Sequence, residues 1–146
     1  MRARLLCLLL LAALAGGCDD STPTSPTPNV AFSSTDLLIG TGAEATSGKV
    51  VKVHYSGWFH NPVQSDHKGA RFETTAGGDP FQFTVGTGSV IAGWDRGIPG
   101  MKVGGIRRLI IPPSLAYGDI RNGPIPPNAA LLFEIELLEV VETSVP

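Results

Sequence analysis

The chain has little cysteine, little net charge and no hydrophobic run long enough to cross a membrane. Of its 146 residues two are cysteines, Cys7 and Cys18. Both precede the part of the chain with strand patterning, so no disulfide framework is expected there and no thiol nucleophile is available. Charged residues make up 16% and the formal net charge is −2. No basic stripe is visible, which leaves nucleic-acid binding without support. The one extended apolar run, Leu5–Ala15, has eleven residues, against the ~20 that a bilayer-crossing helix needs. There is no G-x-S-x-G turn and no phosphate-binding loop. What the chain has in quantity is Gly 18 and Pro 12, which makes turns frequent, and 42% hydrophobic residues, which suits one globular core.

Arg2 and Arg4 precede the apolar run, and the small residues Ala15, Gly16 and Gly17 separate it from Cys18. That order makes an export signal rather than part of the fold. Small residues directly before a cysteine resemble the bacterial lipoprotein signal, although Ala15 stands where leucine is commoner. The resemblance implies a signal peptide over 1–17, cut before Cys18, and lipidation of Cys18. A single lipid chain binds a membrane only marginally; the resemblance implies more than one. Without Arg2 and Arg4, nine basic residues face thirteen acidic ones, a formal charge of −4. Residues 18–30 then form a tether: Asp19–Asn29 offers no apolar anchor, and Pro23, Pro26 and Pro28 stiffen it. The folded domain is expected over 31–146. It would sit outside the cytoplasm, held to a membrane through the N-terminal lipid, on the periplasmic side in a Gram-negative bacterium.

Within the domain the dominant period is two. Val51, Val53 and Tyr55 alternate with Val50, Lys52 and His54. Phe81–Val85 alternates and stops at Gly86, and Ile106–Ile111 stops at Pro112 and Pro113. Along Leu131–Val140, Leu131, Phe133, Ile135 and Leu137 share one face while Glu134 and Glu136 take the other. Such strands suit an antiparallel sheet with one wet side. The one helix of interest is short, Ala92–Ile98, and Gly93 and Gly97 weaken it on propensity alone. The expected fold class is α+β, a mostly antiparallel sheet with one small helix.

His54, His60 and His67 fall close together. His60, Asp66 and His67 lack any metal-binding helix spacing and read as a polar exposed loop. His54, in a strand, reads as a structural hydrogen-bonding residue. More informative are the aromatic residues set beside glycines: Tyr55, Phe72, Phe81, Trp94, Tyr117 and Phe133. Any one of them alone reads as core; their order and spacing carry more. Val51-Lys52-Val53-His54-Tyr55-Ser56-Gly57 is the first of six blocks. Val90-Ile91-Ala92-Gly93-Trp94-Asp95-Arg96-Gly97 and Arg108-Leu109-Ile110-Ile111-Pro112-Pro113 follow. Leu115-Ala116-Tyr117-Gly118, Ile125-Pro126-Pro127-Asn128-Ala129 and Leu131 to Leu138 complete the set. Taken in this order they resemble the signatures of the FKBP-type peptidyl-prolyl cis-trans isomerases over nearly all of Lys49–Val140.

The resemblance implies a sheet curled around one short helix, with a pocket between them. It implies that Trp94 forms the pocket floor and that Tyr55, Phe81 and Phe133 line the walls. Val90 and Ile91 lie on the segment entering the helix, Phe72 and Glu73 at one edge, and Tyr117 and Ile125 on the opposite loop. The Ile91 N–H and the Tyr117 hydroxyl would hold substrate carbonyls. The implied partners are proline-containing polypeptides and macrolide inhibitors. No cofactor and no metal are implied, and a monomer is expected.

The sequence departs from the family pattern in several places. Where the family commonly has Phe-Asp-Ser-Ser, this chain has Phe72-Glu73-Thr74-Thr75, and Ala76-Gly77-Gly78 supplies no arginine to pair with the carboxylate. His60–Ala70 lengthens the stretch between Tyr55 and Phe72 and reads as a polar surface insertion. The loop from Tyr117 to Ile125 is slightly short and contains Pro124. The leading expectation is an isomerase that assists folding of exported proteins without covalent chemistry. Its rivals are a binding module for proline-containing segments with little catalytic activity and, third, a general chaperone.

Overall fold

The computed structural model describes residues 29–142; the signal peptide, Cys18 and all of the tether before Asn29 lie outside them. Six strands and one helix follow in order: β1 (Ser33–Leu38), β2 (Val50–His60), β3 (Lys68–Thr74), β4 (Phe81–Thr84), α1 (Ala92–Gly97), β5 (Ile106–Ile111) and β6 (Leu131–Val141). A 3-10 turn at Pro113–Leu115 follows β5. The strands form one sheet in the order β1-β5-β6-β2-β3, with β4 paired to the first half of β2. Every pairing is antiparallel. This is the α+β arrangement expected. Among the described residues no helix is long and apolar enough to cross a membrane.

The register explains the core. Val53 lies opposite Leu137, Tyr55 opposite Ile135 and Gly57 opposite Phe133, so the inward residues of β2 and β6 meet on one face. Val51, Val53, Leu131, Ile135 and Leu137 are wholly buried there. Helix α1 lies on that face, and its two glycines explain its closeness. A Cβ on Gly93 would come within 2.5 Å of Ile111 Cγ2, and one on Gly97 within 2.5 Å of Leu109 Cδ2. The residues that weaken the helix locally are therefore those that let it touch β5. A second tie fixes its approach: the Asp95 carboxylate accepts the N–H of Gly86 at 2.9 Å and of Gly88 at 2.8 Å. Both glycines have positive φ, 73° and 75°, which their lack of a side chain makes accessible.

Three features differ from the sequence reading. The first is β1, an exposed edge strand with no inward stripe. It is held by pairing to β5 and by the Asp36–Arg107 ion pair, at 2.6 Å to Arg107 Nε. The second is the stretch His60–Ala70, whose sequence marks no strand and which is largely a hairpin. His60 ends β2, the turn is closed by Asn61 N–H to His67 O at 2.8 Å, and β3 begins at Lys68. Its Asp66 carboxylate accepts the Lys68 N–H, while the His60 and His67 rings stack 5.5 Å apart. The third is the outer face of the sheet, which is not uniformly wet. Leu132 is fully buried there, opposite Trp58 and Ile110. Lys68 lies over the Trp58 ring and, with Arg108, clamps Glu134 at 3.0 and 2.7 Å.

Candidate active site

The inward faces of β2, β4 and β6 carry Tyr55, Phe81 and Phe133 towards the side chain of Trp94 on α1. The Trp94 ring meets Tyr55 edge-on at 4.9 Å and 86°, and Phe133 at 5.3 Å and 89°. Phe83 lies 5.5 Å away and Phe81 6.1 Å. Edge-to-face pairs of this kind each add about 0.5–1.5 kcal/mol beyond the area they bury. Those contacts help offset a local cost, since Trp94 Nε1 is buried with no hydrogen-bond partner among the described residues. An unmet buried donor costs about 1–3 kcal/mol.

A cavity of about 170 Å³ opens over this cluster. Tyr55, Glu73, Phe81, Ser89, Val90, Ile91, Trp94, Tyr117 and Phe133 line it. Trp94 and Phe133 are its buried end, 4% and 3% exposed, and Phe81, 38% exposed, is its rim. An apolar cavity of ~150 Å³ accommodates a benzene ring, so a pyrrolidine ring fits this one. Two of the residues carried over from the family, Phe72 and Ile125, do not line it. They belong to an adjoining cavity of about 240 Å³, with Glu73, Tyr117, Asn122 and Pro124. The site therefore has two lobes, and Glu73 and Tyr117 face both. Phe72 reaches the first lobe indirectly, packed edge-on against Phe133 at 5.7 Å.

Hydrogen bonds hold the edge between the lobes. Thr75 accepts the Tyr55 N–H at its hydroxyl, 2.9 Å, and donates its own N–H to the Tyr55 carbonyl, 2.9 Å. His54 Nδ1 lies 3.0 Å from the same hydroxyl, and the Ser56 and Thr74 hydroxyls meet at 2.8 Å. The opposite loop closes on itself, with Asn122 and Ile125 exchanging backbone hydrogen bonds at 3.0 and 2.8 Å. Ala76–Gly78 is a turn that places no cation near Glu73, and Glu73 joins none of the ion pairs among the described residues.

Burial pushes the Tyr55 phenol well above its ordinary range, and the facing Glu73 carboxylate adds to the shift. Tyr117 is raised by burial and by Glu73, against a smaller lowering from Asn122. Both phenols are therefore protonated donors at neutral pH. The Ile91 N–H, at the residue before α1, donates to no group among the described residues. Among the described residues the lining holds no thiol, imidazole or amine. Its own groups can hydrogen-bond, desolvate and orient a bound chain, and they offer no nucleophile–base pair.

Sequence reasoning missed Ser89, Asn122, Phe83 and Thr75. Phe83 was legible, because the alternation of Phe81–Val85 puts it on the same face as Phe81. Ser89 and Asn122 lie on loops, where no period marks a side chain as inward.

Comparisons with known proteins converge on one group. Residues 42–138 match the family model described as FKBP-type peptidyl-prolyl cis-trans isomerase. An FK506-binding protein of Neisseria meningitidis serogroup B is 46% identical over 108 residues, covering 73% of this chain and 94% of that protein. The 39 kDa FK506-binding nuclear protein of Drosophila melanogaster is 47% identical over 107 residues, covering 72% of this chain and 28% of that one. The crystal structure of AtFKBP13 is similar with a TM-score of 0.64 and 38% identity, over 75% of this chain and 93% of that chain.

Proposed function

The chain belongs to the FKBP-type peptidyl-prolyl cis-trans isomerases, and on that premise we propose that it isomerises prolyl bonds in exported proteins from a membrane-tethered position. The signal peptide 1–17, lipidated Cys18, tether 18–30 and domain 31–146 make up that arrangement. Its support is the order of charge, apolar run, small residues and cysteine at the N-terminus. The enzyme works as a monomer without a cofactor, and macrolides that fill the first lobe inhibit it.

The observation that carries the catalytic reading is the edge-to-face aromatic cluster around Trp94 under a cavity of pyrrolidine size. A prolyl bond resists rotation by about 18–20 kcal/mol because twisting breaks amide resonance. Twisting also lowers the polarity of the C–N unit. A dry aromatic lobe therefore penalises the planar amide more than the twisted one. In this reading the proline ring lies against Trp94, between Tyr55, Phe81 and Phe133. The free Ile91 N–H and the protonated Tyr117 hydroxyl hold flanking carbonyls and keep the chain turned. Phe72 and Ile125 shape the second lobe, and Val90 sets the entrance beside Ile91.

No proton is transferred and no covalent bond forms. Each ten-fold rate gain requires about 1.4 kcal/mol of selective stabilisation. The test is an isomerisation assay on a short X-Pro peptide. Trp94→Ala should lower kcat/KM by about ten-fold or more, equivalent to at least ~1.4 kcal/mol. A folded Trp94→Ala protein with unchanged turnover would sink the assignment. Denaturation must be measured alongside, since losing a buried tryptophan costs about 3–5 kcal/mol.

A further inference from the structure

Among the described residues Glu73 is the one charged side chain lining either lobe, and it lines both. It is exposed, and it joins none of the ion pairs among the described residues. Arg71, two residues before it, and Arg121, next to Asn122, line neither lobe. The two residues after it, Thr74 and Thr75, are fixed to β2 through their hydroxyls, so the carboxylate stands on an anchored strand end. Its field is felt on both sides: after burial, it is a cause of the raised Tyr55 and Tyr117 hydroxyls. Glu73 itself lines the first lobe, and the residues flanking a proline bound there lie only about 3.5 Å along its chain.

We propose that Glu73 makes this site charge-selective, favouring chains with lysine or arginine beside the proline and disfavouring those with aspartate or glutamate there. The proposal rests on reading the two lobes as the substrate site. An exposed carboxylate has a modest effect on one cation, but replacing lysine by glutamate in the substrate turns an attraction into a repulsion. The expected Lys-to-Glu ratio in kcat/KM is about five-fold at low ionic strength. It should shrink towards unity at ~1 M salt, where the screening length is only ~3 Å.

The experiment follows cis–trans exchange by NMR in short proline peptides carrying lysine, glutamine or glutamate, placed before the proline in one set and after it in another. The expected result is the order Lys, Gln, Glu in at least one set, lost at high salt and lost in Glu73→Gln. Equal rates in both sets, or a spread that survives Glu73→Gln, would overturn the proposal. If no peptide is isomerised, the isomerase reading itself fails. Charge selectivity is then decided by the affinities of the same peptides, read from the Trp94 indole N–H resonance. Equal affinities there would overturn it as well.

Discussion

Replacing Gly57 by alanine tests whether the aromatic walls are packed as tightly as the register implies. Gly57 is buried on β2 opposite Phe133. A Cβ there would lie 2.7 Å from Phe72 Cζ, 2.8 Å from Phe133 Cε1 and 2.9 Å from Phe72 Cε2. Ordinary contact begins near 3.4 Å, so with 2.7 Å as the closest approach the ring edges must retreat by about 0.7 Å. Phe133 is held by Trp94 and Phe72, and Phe72 by Phe59, so each ring can give way only towards the lobe it lines. Overpacking of this kind costs about 1–3 kcal/mol, which lowers Tm by roughly 4 °C or more in a domain of this size.

The same displacement moves one wall of each lobe, so kcat/KM for an X-Pro peptide should fall several-fold at a temperature where the variant is fully folded. Gly48→Ala is the control. Its φ of +87° makes alanine strained, but a Cβ there would have nothing within 4 Å. It should lose stability by ~1–2 kcal/mol with no loss of turnover. If Gly57→Ala kept both wild-type Tm and wild-type turnover, the packing argument would be refuted.

Thr75→Val removes the hydroxyl that accepts the Tyr55 N–H and faces His54 while keeping the side chain's shape. It should cost about 1–3 kcal/mol in urea denaturation for the unmet donor and reduce turnover by loosening Tyr55. Unchanged values for both would contradict the positioning role. Acidification should act in two separate windows. Burial, and then the neighbouring His67, depress the pKa of His60 below its ordinary 6.5. Between the two values the unfolded chain binds a proton that the folded one rejects, so stability falls as pH drops through that range. His60→Gln should flatten that part of the Tm–pH curve. The hydrogen bond from Arg107 holds the Asp36 carboxyl below its ordinary 3.8. Arg108 and Lys68 hold Glu134 below 4.5 against the opposing effect of burial. Their contributions are present above those ordinary values and are lost as pH falls through the lower folded ones. Removing Arg108 as Arg108→Gln should narrow that acid loss.

The central strands were legible because burial on one face enforces a period of two: Val51 and Val53 on β2, and Leu131, Phe133, Ile135 and Leu137 on β6, are inside in the structure. β1 and β3 were not, because an edge strand such as Ser33–Leu38 is exposed along its whole length and follows no stripe. Helix α1 was visible through its resemblance and invisible to propensity, since Gly93 and Gly97 answer to Ile111 and Leu109 rather than to local helix stability. At the site, alternation marked the faces that carry Tyr55 and Phe133, while the family resemblance assigned those residues to a pocket. The division into two lobes was not, because it depends on how the loop from Tyr117 to Ile125 folds back through Asn122 and Gly123. The burial of Leu132 on the outer face was equally hidden. It depends on Trp58 of β2 and Ile110 of β5 lying across from it on either side.

The contact between α1 and β5 also limits how this site can adapt. Backbone lies against the fully buried side chains of Leu109 and Ile111 there, so the depth at which Trp94 sits is set by the scaffold itself. Differences in what is accommodated must arise at the perimeter, from Glu73, Phe81 and the loop bearing Asn122 and Pro124. Anyone wishing to retune this protein towards a new client should therefore alter the mouth and leave the helix untouched.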